Sequence, residues 1–337
     1  MVDSSVKAKM KFRIFLLGGL GNQLFGVFFG HALNIAFPGK VALSDRLIPF
    51  GSNSTRMLMV NQVPEARLQE LNLIQSTNFL NKLIRNFRIG RSVVWKLYKV
   101  SSRRKRMKIE DFWNLDYPLE SGIDILDYCD DWFFPEYVRR VKGITSSLSD
   151  LRALEDYQNY ISNGIICHVR VGDYLKHPEI YDLINEEYYF SAIREISKKN
   201  QKSSQLILII TEDVQEVQRF YPNLAKISKI ILGKSDLSSD VHAFKIMQNA
   251  MNLVAANSTF SMWAAWFGLH ARERTFVPSV LVGEIPQSGL RELQWELINP
   301  TSGEIVENEE FDPWFKQKQI RFHEILSVIQ EKSLKER

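Results

Sequence analysis

The stretch His168-Val-Arg-Val-Gly-Asp-Tyr174 places an imidazole and a guanidinium two residues apart at the end of an apolar run. On a strand, residues two apart share a face, so His168 and Arg170 point one way while Val169 and Val171 point into apolar packing. An arginine fixed at a strand end presents a planar fork of donors that fits a phosphate. Gly172 permits a sharp turn, and Asp173 can lock that turn or orient Arg170. A purely structural Arg–Asp pair beside a satisfied histidine is the competing reading. Thr211, Glu212 and Asp213 end a second apolar run, and Asn257-Ser-Thr-Phe-Ser261 stands between a third and a helical pattern. Ser258 and Thr259 are good N-cap residues. Unpaired N–H groups and a hydroxyl at a helix start also form an anion site, so the two roles are compatible. Phe260, Trp263, Trp266 and Phe267 fit core packing better than a base-stacking platform.

Other chemistries lack their residues. Gly19-Leu20-Gly21 begins a GxGxxG pattern, but its sixth position is Leu24, so the dinucleotide fingerprint fails. The turn Gly18–Gly21 instead lets a backbone approach something closely, with Asn22 and Gln23 offering amides; a bare strand–turn–helix junction reads equally well. No GxxxxGK[ST], HExxH or CxxC occurs, and the two cysteines, Cys129 and Cys167, read as buried apolar side chains. No Asp-x-Asp triplet of the kind that grips a sugar nucleotide through a divalent metal is present. The expectation is therefore a diphosphate neutralised by Arg170 and helix-terminal amides, with no metal and no cofactor.

The elements that must position these groups follow from periodicity. Phe12–Leu17 reads as a buried strand, Asn22–Phe37 as a buried helix and Lys40–Leu43 as a second strand. The topology of 60–160 stays unassigned. From Ile165 short apolar strands (165–171, 205–210, 229–232, 252–256, 274–277) alternate with helices (186–199, 213–220, 240–250, 260–270). That alternation predicts a parallel α/β sheet, whose ligands bind at the carboxyl ends of its strands. Residues 312–335 read as one or two helices. The expected domains are 1–160, 161–300 and a C-terminal helical segment 301–337.

The chain has 337 residues, 45% hydrophobic and 24% charged, with a net charge of +4. Such a length buries a core without staples, and the composition excludes disordered and fibrous classes. The charge is uneven. Leu71–Ile109 has no Asp or Glu, and residues 82–108 carry eleven Lys or Arg, leaving 32 basic and 39 acidic residues, a balance of −7, elsewhere. Interleaved apolar residues make segment 82–108 suited to anionic lipid headgroups or, equally, a solvated face. Nucleic-acid binding has no motif behind it. Ile14–Pro38 is free of charge, but Gly18, Gly19, Gly21, Asn22 and Gln23 interrupt it, so it reads as strand, turn and helix rather than a membrane span. The expected location is cytoplasmic, with peripheral contact at the inner leaflet.

Gly18-Gly-Leu-Gly-Asn-Gln-Leu-Phe25, His168-Val-Arg-Val-Gly-Asp-Tyr174 and Asn257-Ser-Thr-Phe-Ser-Met-Trp-Ala-Ala-Trp266 resemble the three signature stretches of the alpha-1,2-fucosyltransferases, glycosyltransferase family 11. Thr211-Glu-Asp213 resembles a fourth, weaker one. The resemblance implies a GT-B-like fold, with two Rossmann-type domains facing a cleft. It implies inverting, metal-independent transfer of L-fucose from GDP-L-fucose to the 2-hydroxyl of an acceptor sugar, a galactoside, in glycan or surface-polysaccharide (O-antigen-type) synthesis. Carried over by position, Arg170 binds the diphosphate and His168 lines that pocket. Asn257, Ser258, Thr259 and Ser261 form the phosphate-binding stretch, and Asp213 sits near the guanosine. Gly19, Gly21 and Asn22 face the sugar. The base that takes the acceptor proton is among Asp173, His177 and Glu179. The chain departs from the family pattern at Val171, where a second Arg is usual, at Gly26-Val27, often Gln-Tyr, and at Met262, usually Trp. Another nucleotide sugar on the same fold, or a non-catalytic glycan- or nucleic-acid-binding protein, are the alternatives.

Overall fold

The computed structural model describes residues 12–45, 59–74, 105–107, 112–113, 123–125, 132–143, 151–172, 174–176, 181–200, 206–268, 272–280, 295–306 and 311–335. The chain divides into two units, Met1–Ile144 with Phe315–Arg337, and Thr145–Trp314. The division falls some fifteen residues before the boundary expected at 160, and the chain's last helix returns to the first unit.

The first unit is built on β1 (Phe12–Phe15), α1 (Leu20–Ala36), β2 (Val41–Ser44), β3 (Asn72–Ile74), β4 (Lys105–Met107), β5 (Ile123–Ile125) and α2 (Phe133–Lys142). Its sheet runs β3-β2-β1-β5-β4, all parallel. Three of its strands and α2 lie in the 60–160 stretch that periodicity left open. Each strand is only three residues long, too short for an alternation to register. α1 is buried on nearly every side. It lies close on the sheet because Gly26 and Gly30 face it: a Cβ at Gly26 would stand 3.0 Å from Leu16 Cδ2, and one at Gly30 3.0 Å from Leu43 Cδ2.

The second unit holds α3 (Gln158–Asn163), β6 (Ile165–Val169), α4 (Glu186–Asn200), β7 (Ile207–Thr211), α5 (Val214–Phe220), α6 (Pro222–Ile227), β8 (Ile230–Leu232), α7 (Asp240–Asn249), β9 (Asn252–Val254), α8 (Thr259–Phe267), β10 (Arg274–Pro278) and β11 (Glu296–Ile298). Its parallel sheet has the order β11-β10-β9-β6-β7-β8. The chain winds from β6 outward to β8, then crosses back to β9 and winds the other way. This is the doubly wound Rossmann order, with its switch point between β6 and β9. β6 and β7 are buried along their whole length, as strands covered by helices on both faces must be. Each half thus has the α/β, parallel-sheet character expected of it.

The last helix, α9 (Phe311–Lys335), lodges Phe322 among Phe112, Phe133, Phe134 and Tyr137, with ring centroids 5.1 to 6.0 Å apart. Among the described residues no helix is long and apolar enough to cross a membrane. Cys167 is buried and unpaired, its thiol pushed up to about 12 by burial; Cys129 lies outside the described residues.

Candidate functional site

Three strand ends of the second sheet converge at its switch point, and β6 is central. Cys167, Val169 and Val171 sit in the hydrophobic core, so His168 and Arg170 share the other face, as the alternation requires. The strand-end carbonyls here are tied down by tyrosines of α4: Tyr189 donates to the His168 carbonyl (3.1 Å) and Tyr188 to that of Ala255 (2.6 Å). These bonds satisfy backbone acceptors that the end of a ladder leaves open.

His168 is 3% exposed. Burial, with the Arg170 charge adding to it, lowers its pKa to about 3, so the imidazole is neutral at pH 7. Its ring lies 5.9 Å from that of Phe260, in the first turn of α8. Among the described residues its Nδ1 is buried without a hydrogen-bond partner. Arg170 projects beyond β6, its guanidinium carbon 5.4 Å from the centre of the Tyr174 ring, and it forms an ion pair with Glu212.

The third strand end supplies a helix start. Ser258 is the N-cap of α8, its side chain accepting from the Phe260 N–H (3.4 Å). Asn257 is a brace. Its side-chain amide donates to the Asp182 carbonyl (2.9 Å), and its own carbonyl accepts from the Tyr174 hydroxyl (2.6 Å). Tyr174 in turn stacks on Tyr181, with centroids 4.3 Å apart and planes 10° apart. One aromatic residue therefore touches both the arginine and the segment leading into α8. Ser261 is fully buried, and its hydroxyl is 3.3 Å from the Ala256 and Ser258 carbonyls. While its single proton is spent there it has none for a phosphate, so the donors at this end include backbone N–H groups and the Ser258 hydroxyl, which accepts from the Phe260 N–H at its oxygen and keeps its own proton. At the second strand end, Asp213 caps α5 by accepting from the Gln215 and Glu216 N–H groups (3.0 and 3.2 Å).

The glycine turn belongs to the first unit. Gly18 has φ +67°, a left-handed conformation that glycine adopts without strain. Gln23 is spent on the turn: its amide donates to the Gly18 carbonyl (3.0 Å), and its carbonyl accepts from the Met59 N–H (2.9 Å). Gly19 is the N-cap of α1 with no side-chain capping bond, Gly21 and Asn22 fall in the first turn, and no acidic residue stands there. Gly26, a departure from the family pattern, is core packing. Asp173, His177 and Glu179 lie outside the described residues. Among the described residues no group of three or more His, Cys, Asp or Glu is placed to hold a metal ion.

Sequence reasoning placed Tyr174 and Glu212 at the strand ends without assigning them a site role. The register identifies Glu212: Val169 pairs with Thr211, so the next residue on each strand, Arg170 and Glu212, stand side by side. Tyr174 carried no signal, since its contact with Asn257 spans 83 residues of sequence.

The model of glycosyl transferase family 11 matches residues 137–277. The alpha-1,2-colitosyltransferase of Escherichia coli is 24% identical over 276 residues, 78% of this chain and 90% of that protein. The O-antigen biosynthesis glycosyltransferase WbnK of Escherichia coli is 27% identical over 108 residues, 31% of this chain and 34% of that protein. Among solved structures, fucosyltransferase NodZ from Bradyrhizobium superposes with a TM-score of 0.42 at 13% identity, covering 79% of this chain and 95% of that one.

Proposed function

We propose that this chain, a fucosyltransferase-like protein carrying the glycosyl transferase family 11 region, moves L-fucose from GDP-L-fucose to the 2-hydroxyl of a galactoside with inversion, in O-antigen-type synthesis. The observation that carries the reading is the convergence, at one switch point, of Arg170 with the start of α8. Departure of a nucleoside diphosphate builds negative charge on its outer phosphate. A guanidinium and backbone N–H groups fixed at a helix start are donors that need no reorganisation to meet it. The neutral His168 lines the same edge, where its low basicity suits a hydrogen-bonding role better than proton removal. That proton goes to one of Asp173, His177 or Glu179, which follow the strand directly. Asp213 stands on the nucleoside side.

The name of the colitosyltransferase relative supports a second reading, in which the transferred sugar is colitose and the 1,2 linkage is kept. Incubation of the full chain with GDP-fucose or the colitose donor and a galactoside panel, followed by NMR of the new linkage, separates the two. Arg170→Ala is the direct test of the site: turnover should fall at least a hundredfold, the size seen when a stabilising donor is lost, with the circular dichroism spectrum unchanged. Retention of most activity removes Arg170 from the diphosphate.

A further inference from the structure

Glu212 is a carboxylate that the structure sets directly on the guanidinium assigned to the diphosphate. It follows the last residue of β7, and the Val169–Thr211 pairing brings it beside Arg170 at the point where the ladder ends. The two form an ion pair with their side chains only 28% and 21% exposed. Among the described residues neither Glu212 oxygen has a further hydrogen-bond partner. Its neighbour Asp213 is locked by two backbone N–H groups; among the described residues Glu212 is held by Arg170. Gly172 stands opposite, where an added Cβ would lie in ordinary contact, 3.4 Å from Glu212 Cβ and 3.8 Å from its Oε2.

A carboxylate and a phosphate seek the same edge of a guanidinium, and two like charges at that spacing repel strongly at a half-buried sheet edge. We propose that Glu212 is the resident counter-ion of Arg170, displaced when a diphosphate binds. It returns as that diphosphate leaves, so it excludes weakly charged ligands and speeds release of the nucleoside diphosphate product. The inference rests on the functional reading above and adds a specificity and release role to a residue outside the expected set.

The test uses the full chain, wild type and Glu212→Gln, with Glu212→Ala as a second variant and circular dichroism as the check of folding. GDP, inorganic pyrophosphate and guanosine are titrated against each. Removing the competing charge is expected to tighten GDP and pyrophosphate about tenfold and to leave guanosine unchanged. In turnover, KM for GDP-fucose falls, inhibition by GDP strengthens by the same factor, and kcat drops as release slows. GDP binding that is unchanged or weaker in both variants overturns the proposal, because Glu212 then only braces Arg170. An equal shift for guanosine overturns it too, since a charge competitor has no hold on an uncharged nucleoside. If pyrophosphate shows the shift while GDP binds neither wild type nor variant, the competitor role stands and the guanine-nucleotide reading falls. If GDP binds wild type and is lost in Arg170→Ala but Glu212→Gln shows no gain, the competitor role alone falls.

Discussion

Lowering the pH from 7.5 to 5 should cost this protein stability through His168 in a way one substitution can isolate. The residue is 3% exposed, and burial, followed by the Arg170 charge, takes its pKa to about 3. In the unfolded chain an imidazole titrates near 6.5. Below that value the unfolded state takes up a proton the folded state refuses, so stability is complete above pH 6.5 and is lost steadily as pH falls toward about 3. At pH 5 the linkage amounts to about 2 kcal/mol from this one residue. The assay is urea denaturation of the full chain at pH 7.5, 6 and 5, for wild type and His168→Gln. The variant starts from a lower baseline, but its loss between pH 7.5 and 5 should be smaller than wild type's by about 2 kcal/mol. Equal acid losses in the two proteins would refute the placement of a neutral, desolvated imidazole under Arg170. His31 has the same sign. Burial, as the largest cause, lowers it to about 4 while its Nε2 lies 2.8 Å from the Ala66 carbonyl, so its window runs from 6.5 to about 4. His31 lies in the first unit and His168 in the second, so His168→Gln should leave an acid sensitivity that His31→Gln removes.

Gly26→Gln restores the residue common in the resembling family, yet here it should destabilise the chain by about 3 kcal/mol, from overpacking and a buried amide together. The Cβ alone meets Leu16 Cδ2 at 3.0 Å, and an unchanged urea midpoint would contradict the packing of α1. For the basic segment 82–108, most of which lies outside the described residues, we propose docking to anionic lipid. Vesicles containing phosphatidylserine should pellet the chain at low salt and release it at high salt, and pelleting indifferent to salt would rule this out.

Most of the second unit was legible before any coordinates, because five buried strands alternate with amphipathic helices and each strand ends in polar residues. Boundaries shifted by one to three residues; the strand read as 165–171, for instance, pairs only through Ile165–Val169. Residues 60–160 were not legible, since three-residue strands carry no period and β3 is held by register with β2 rather than by pattern. At the site, side-chain direction on β6 followed from alternation alone. The present commitments of Asn257, Ser261 and Gln23 did not, because each is fixed by a carbonyl or N–H that tertiary packing brings up. Residue type says that a hydroxyl or amide can bind a ligand. Only the hydrogen-bond accounting says whether its donor is already spent.

That accounting bears on how the proposed site would hold an anionic donor. Val171, where the resembling family usually has a second arginine, is fully buried in the core under the sheet, so a guanidinium there would be driven into apolar packing rather than toward the ligand. Of the pair Arg170 and Glu212, the net charge before a ligand arrives is zero. In the proposed role, the pull on a diphosphate draws on local sources: the N–H groups and the Ser258 hydroxyl at the start of α8, and the guanidinium once its carboxylate has moved. Both act over a few ångströms and fade beyond the first turn of the helix. They reward a phosphate that is already seated more than one still approaching. A site built this way gains its affinity late, as charge develops on the leaving oxygen, and gives little of it to the ground state, which is the partition that favours turnover over tight substrate binding.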